Sequence, residues 1–301
     1  MGIDAMSIDR LRGEWRFNEP LARHTSWRVG GPARRFYRPA DANDLVALLR
    51  HLEPDEPLLW LGLGSNLLID DRGFAGTVIQ TQGCLTGLTR CGATGIRAEA
   101  GVSSAKLARF AARHDLVGVE FLAGIPGTMG GALAMNAGAW GGETWTHVTR
   151  VRTIDRAGTI RERDAGDFAP AYREVKGPAG EWFLDVELTL TPGDGAAGMA
   201  RIRALLDRRA ATQPVGLPSC GSVFRNPPGD HAARLIEAQG LKGYRLGGAQ
   251  VSEKHANFII NTGEATATDI VRLIDHVQDA VEQRTGIRLV TEVRRIAGEG
   301  S

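Results

Sequence analysis

Ser222 stands in Ser219-Cys220-Gly221-Ser222-Val223-Phe224-Arg225-Asn226-Pro227, where the preceding glycine frees the backbone to present a hydroxyl. Arg225 and Asn226 follow with a cation and an amide. The pattern is not a nucleophile elbow, because Gly221 is directly adjacent and Phe224 occupies the next glycine position. No Ser-His-Asp set accompanies it, and alone it reads as a turn serine. Arg173, in Tyr172-Arg173 between two strand regions, has the planar fork that grips a carboxylate with two hydrogen bonds; a surface arginine is the ordinary alternative. Glu292, in Leu289-Val290-Thr291-Glu292-Val293, alternates away from Val293. It is either solvent-facing or, if buried, an acid or electrostatic partner. Gln250, Lys254 and His255 lead into a strand, where polar groups can bind a ligand. A lone histidine such as His255 is more commonly structural. The seven histidines share no metal-ligand spacing, so no metal is expected.

Glycine-rich segments offer a second kind of chemistry. Gly124-Ile125-Pro126-Gly127-Thr128-Met129-Gly130-Gly131 runs on through Asn136 and Gly138 to Glu143, with seven glycines in twenty positions. Such a segment lets main-chain N–H groups approach an anion, most often a phosphate. Ala, Met and Trp within it argue against a flexible linker. Upstream, the apolar strand Leu58-Leu59-Trp60-Leu61 leads into Gly62-Leu63-Gly64-Ser65-Asn66. This is neither the dinucleotide fingerprint nor a Walker loop: Leu67 takes the third glycine position and no Gly-Lys-Ser/Thr follows. Two such loops in one chain point to a ligand with a long phosphate-bearing body. Arg28-Val29-Gly30-Gly31 adds another tight backbone turn.

The elements that must position these residues are legible in part. The 301 residues, 43% hydrophobic and 24% charged, suit a globular protein of two domains. A net charge of +1, with arginines scattered among acids, leaves no nucleic-acid footprint. No apolar run approaches a membrane span, and neither a signal peptide nor a membrane partner is expected. Three cysteines without paired spacing suggest neither disulfides nor zinc, and a reducing cytoplasm is the expected setting.

Asp41 and Ser103 cap helices carrying Leu45, Leu48 and Leu49, and Leu107, Phe110 and Ala111. Strands are expected at 58–63, 77–80, 148–155, 159–163, 182–190, 257–261 and 289–296. Helices are expected at 199–212 and 231–239, and the stripe Ile270, Leu273, Ile274, Val277, Val281 marks a third that ends at Gly286. Pro and Gly cluster at Thr191–Gly195, the best domain boundary. The expected fold is α+β.

Taken in order, His24–Ala33, Gly62–Leu68, Gly124–Glu143, Tyr172-Arg173, Gly221–Pro227 and Thr291–Val293 resemble the UDP-N-acetylenolpyruvoylglucosamine reductase family over nearly the whole chain. The resemblance implies a two-lobed FAD-binding domain of the vanillyl-alcohol-oxidase (PCMH) type at 23–192, with lobes near 23–85 and 86–192. A smaller α+β substrate-binding domain follows at 196–301, and residues 1–22 form a lead-in without an assigned role. It implies FAD held by Arg28, Gly30, Gly62, Gly64, Ser65, Asn66, Gly124, Ile125, Pro126, Gly127, Gly130, Gly131, Asn136 and Gly138. Some relatives attach flavin through a histidine after the Gly-Gly pair; Pro32 stands there, so FAD without a covalent bond is expected.

The implied reaction is NADPH-dependent reduction of an enolpyruvyl UDP-sugar. Arg173, Ser222 and Glu292 are its catalytic residues, and Tyr172, Arg225, Asn226, Gln250, Lys254 and His255 line the substrate side. The short Glu174–Glu181 interval resembles the family's second type, which lacks a substrate-covering tyrosine insertion. Val175 and Arg225 depart from the Ser and Lys usual in the family. A monomer is expected. The alternatives are another flavin oxidase or dehydrogenase of this fold, and a non-catalytic flavin- or sugar-nucleotide-binding module.

Overall fold

A computed structural model describes residues 11–298, and the first ten residues of the expected lead-in lie outside it. Helices and strands mix along the chain in an α+β fold. Two compact units are interleaved in sequence: segments 11–16, 36–62 and 76–207 form one, and 17–35, 63–75 and 208–298 the other.

The first unit is built on a five-stranded sheet in the order Ile160–Asp164, Val148–Asp155, Glu181–Thr189, Gly95–Glu99, Leu88–Cys91. Every neighbouring pair is antiparallel. Val151, Val186 and Ala98 lie directly opposite one another across three strands, and all are buried. This rung fixes the register, since a one-residue slip would turn the apolar set outward. Helix Ser104–Arg113 covers the sheet with Leu107, Ala108, Ala111 and Ala112. Its N-terminus is set by Ser103, whose hydroxyl accepts the Lys106 N–H at 3.2 Å. Strand Leu58–Leu61 runs parallel to Phe74–Gln80 and delivers the chain to Gly62. Helix Ala42–His51 buries Leu45, Leu48 and Leu49, with Asp41 accepting the Asp44 N–H at 2.9 Å.

Helix Ala267–Thr285 is the spine of the second unit. Its buried stripe is Ile270, Leu273, Ile274, Val277 and Val281, at helical spacing. Thr266 and Asp269 close its N-terminus as a capping box, and Gly286, at φ 70°, ends it in the left-handed region. The three-stranded sheet Arg245–Leu246, Ala249–Val251, Ile259–Asn261 contributes to the same core. Trp27, fully buried, donates from Nε1 to Ile259 O at 2.7 Å, and Asn261 Nδ2 donates to Trp27 O at 2.9 Å.

Two expected strands are shorter than their apolar alternation suggests. The stretch 257–261 joins the sheet only at Ile259–Asn261, because Asn257 bonds to Val223 and Phe224 instead. The stretch 289–296 forms a strand only at Arg294–Ile296, parallel to Leu67–Ile69. The chain changes partner there: Glu292 N–H donates to Val223 O, and Arg294 N–H to Asn66 O. Glu14–Pro20, inside the expected lead-in, is a strand.

Ile274 is 0% exposed in the centre of the helical stripe. Replacing it with alanine opens a cavity in a close-packed core, and the expected loss is about 2–5 kcal/mol, read as a lowered urea midpoint.

Candidate functional site

In the first unit, two glycine positions lie against a buried hydroxyl. A Cβ placed on Gly62 would lie 2.5 Å from Thr128 Oγ1, and one on Gly131 would meet only that same oxygen, at 3.9 Å. Thr128 is buried, and its hydroxyl has no hydrogen-bond partner. Leaving such a group unsatisfied costs about 1–3 kcal/mol. A buried, unpartnered hydroxyl beside two glycine positions is what a polar ligand with phosphate or ribityl oxygens would satisfy, so these residues fit a flavin dinucleotide.

The run read as one long loop contains a short helix, Met129–Ala134. Glycines enter it because the helix sits hard against the chain at Ala100: Gly130 N–H donates to Ala100 O at 2.9 Å, and a Cβ on Gly130 would lie 3.0 Å from Ala100 Cβ. Met129, Ala132 and Leu133 supply the buried face. Not every expected anion contact is therefore open to a ligand. The Ile125 N–H donates to Leu122 O, as the Gly130 N–H does to Ala100 O. Gly124 makes room for Trp140, whose ring would lie 2.2 Å from a Cβ there. Pro126 stands between Ile125 and Gly127.

Asn136 is the joint between this run and the Tyr172-Arg173 turn. It is buried at φ 41°, a left-handed conformation asparagine tolerates. Its Nδ2 donates to Glu143 Oε2 at 3.0 Å and to Ala171 O at 3.2 Å, and its Oδ1 accepts the Trp145 N–H at 3.2 Å. Tyr172 and Arg173 form the two-residue connection of a small hairpin in which Ala171 pairs with Glu174. Arg173, at φ 58°, donates from Nη2 to Gly138 O at 2.8 Å, and its guanidinium lies 5.0 Å from the Tyr172 ring centroid. Both contacts hold the cation in place, the second through the negative ring face. Val175 packs against the apolar core of this unit.

The second unit brings Ser222, Arg225, Asn226 and Glu292 together. Glu292 N–H donates to Val223 O and Arg225 N–H to Val290 O, both at 2.8 Å, and Phe224 bridges Thr291. Asn66 Nδ2 donates to Glu292 O at 3.1 Å, so the glycine turn is tied to the same strand. Cys220 is fully buried; burial first, and the Glu292 carboxylate second, push its thiol well above the usual range. Gly64, at φ 65°, lets the turn pass the His24 carbonyl, which a Cβ would meet at 2.2 Å, and Gly64 O accepts the Ser26 N–H. Ser65 follows in that turn. Arg28, at φ 59°, and Gly30, at φ 118°, shape the preceding bend, with Arg28 N–H donating to Thr25 O.

Four residues expected on the substrate side are held by the protein itself. Asn226 Oδ1 accepts the Ala232 N–H at 3.1 Å at the start of helix Ala232–Glu237. Gln250 donates to Gly243 O and accepts from Arg245. Lys254 Nζ donates to Ala210 O, where the last turn of helix Gly195–Thr212 exposes carbonyls. His255 Nδ1 accepts the Asn257 N–H at 3.3 Å, and burial lowers its pKa. Two residues that sequence reading missed are Thr128 and Asn257. Thr128 lay inside the glycine run, between residues already singled out. Asn257 reads only as the first residue of the strand expected at 257–261.

Residues 33–163, which include Gly62, Thr128 and Gly131, match the FAD binding domain family, and with the relatives given next the chain is an FAD-dependent oxidoreductase. Residues 213–296 match the UDP-N-acetylenolpyruvoylglucosamine reductase C-terminal domain. The reductase of that name from Alkalilimnicola ehrlichii is 62% identical over 95% of this chain and 96% of its own length. The one from Methylococcus capsulatus is 61% identical over 96% and 94%. The crystal structure of UDP-N-acetylenolpyruvylglucosamine reductase from Thermus caldophilus superposes with a TM-score of 0.79 at 32% identity, covering 95% of this chain and 99% of that one. The chain belongs to the UDP-N-acetylenolpyruvoylglucosamine reductase family.

Thr128→Val removes the unsatisfied hydroxyl and keeps the shape. The expected result is opposite in sign for two measurements: a higher melting temperature for the flavin-free protein, and flavin affinity weakened about 5-fold or more in a fluorescence titration. For His255, the native state takes up a proton less readily than the unfolded chain, whose histidine titrates near about 6.5. Stability therefore falls as pH drops below that value. Urea midpoints at pH 7.5 and 5.5 measure the drop, which is smaller in His255→Leu.

Proposed function

We propose that this protein catalyses the NADPH-dependent reduction of UDP-N-acetylenolpyruvoylglucosamine to UDP-N-acetylmuramate with non-covalently held FAD, in peptidoglycan precursor synthesis. The observation that carries the residue roles is the pairing of the Ser222 and Glu292 segments through Val223 O and Arg225 N–H, which sets a hydroxyl and a carboxyl on adjoining stretches of chain. The names of the close relatives support the substrate.

When bound, FAD supplies two-electron transfer from NADPH to the carbon–carbon double bond. Thr128 and the glycine positions 62 and 131 are the residues that fit it in the first unit. The remaining tasks fall to side chains. Hydride addition beside a carboxylate builds negative charge on the carboxylate-bearing carbon and its oxygens. Arg173 meets that charge with a cation already fixed by Gly138 O and the Tyr172 ring, so little reorganisation accompanies the reaction. Ser222 gives its hydroxyl proton to that carbon and regains one from water. A hydroxyl is a weak acid, but an enolate is basic enough to take its proton when the geometry is fixed. Glu292 is the acid that stabilises the developing charge. Tyr172, which is exposed, and Arg225 bind the UDP-sugar; Asn226, Gln250, Lys254 and His255 shape its surroundings through the contacts they make within the protein.

The same reading assigns 23–192 to the flavin and 196–301 to the substrate, supported by family matches on either side of that boundary. It also places the protein in the cytoplasm as a monomer, in keeping with three free cysteines; a single sedimenting species of about one chain's mass, 32.3 kDa, is the check on the last point.

Ser222→Ala tests the assignment. Flavin bleaching by NADPH proceeds near the native rate, while recovery of the oxidised spectrum on adding enolpyruvyl-UDP-GlcNAc slows about 10²-fold or more in stopped flow. Recovery at the native rate would remove Ser222 from the mechanism.

A further inference from the structure

The proton donor assigned above is one residue in a short irregular segment, and irregular backbone does not hold a hydroxyl still by itself. On one side the segment is stitched by Glu292 N–H to Val223 O and Arg225 N–H to Val290 O. On the other side there is no continuous strand. Its place is taken by Asn257. The Asn257 Oδ1 accepts the Phe224 N–H at 3.0 Å, and its Nδ2 donates to Phe224 O at 2.8 Å. The side-chain amide thus pairs with both main-chain groups of one residue, as a neighbouring strand would. The Asn257 main-chain carbonyl adds a third bond, accepting the Val223 N–H at 2.9 Å. All of this is dry: Asn257 is 4% exposed and Phe224 2%. Buried amide pairs resist distortion, because breaking one strands a donor and an acceptor away from water.

We propose that Asn257 is a positioning residue for proton delivery: its amide fixes Phe224 and, through it, holds Ser222 in register with Glu292. The inference rests on the role of Ser222 proposed above. Asn257 acts on the backbone that carries the hydroxyl and the carboxyl. Aspartate at this position keeps an acceptor for the Phe224 N–H but sets a carboxylate oxygen against Phe224 O in place of a donor. Serine is too short to reach both groups.

The experiment is a double-mutant cycle on the flavin-loaded enzyme, with N257D, N257S, S222A and the two double variants. Each is read by the rate of flavin bleaching with NADPH, the rate of recovery with enolpyruvyl-UDP-GlcNAc, and amide hydrogen exchange at Phe224. The expected result is recovery slowed about 10-fold or more in N257D and N257S, bleaching within about 2-fold of native, and faster exchange at Phe224. In the S222A background, N257D should add little, because the proton it positions is gone. Equal slowing of both half-reactions, or full additivity with S222A, would overturn the proposal and leave Asn257 a stabilising residue only. The two readings fail separately: if S222A alone recovers at the native rate, the serine assignment falls; if S222A is slow and both Asn257 variants recover normally, only the present inference falls. Should N257D lose its flavin, N257S carries the same comparison.

Discussion

Backbone pairing around residues 222–226 is the constraint on which the second unit's chemistry depends. The segment is too irregular to belong to a sheet, yet the main-chain groups of Val223 and Phe224 and the Arg225 N–H are paired: with Val290 and Glu292 on one side, with Asn257 on the other. A buried N–H or C=O left unpaired would cost as much as a typical hydrogen bond contributes, so the arrangement is close to all-or-none. Asn66 extends the pairing, holding the strand at Glu292 O with its side chain and at Arg294 N–H with its carbonyl. Main-chain geometry thereby links the glycine turn, the serine segment and the glutamate strand.

The first unit solves a related problem with glycine. Its turn after Leu58–Leu61 and the helix Met129–Ala134 approach so closely that a side chain at Gly62 would strike Thr128. The approach leaves a buried hydroxyl without a partner, a cost the protein alone does not recover. Arg173 sits at the tip of a hairpin, in a left-handed conformation unusual for arginine. Such backbone strain persists only where its surroundings hold it, and here those are Gly138, Tyr172 and the Asn136 bond to Ala171.

Several polar residues that a linear reading sends to the ligand also make contacts within the protein. Asn226 tethers the start of a short helix, Lys254 neutralises the end of a long one, and Gln250 crosses its own sheet. His255 accepts the Asn257 amide N–H, and so bears indirectly on the segment that Asn257 clasps. Gly124 exists for an indole ring, and Gly130 for close helix packing. Glycine in a motif signals close approach, but the approaching body is as readily a tryptophan as a phosphate.

Local patterns in the chain were enough for the elements whose reasons are local. Asp41 and Ser103 cap helices because a side-chain oxygen three residues back satisfies an N–H wherever the chain folds. The stripe from Ile270 to Val281 specifies a buried helix face, and alternation specifies Val148–Asp155. The six motifs in order also carried the family and its cofactor. Long-range pairing supplied the rest. Apolar alternation at 257–261 and 289–296 promised full strands, but tertiary partners took Asn257 and Glu292 out of the ladders and turned them toward the serine segment. The compact units likewise ignore sequence order, since 17–35 and 63–75 pack with the C-terminal third. Hydrogen bonds between distant residues leave no periodic trace in a sequence, so only the folded chain reveals which asparagine is a clasp and which threonine is left waiting for a ligand.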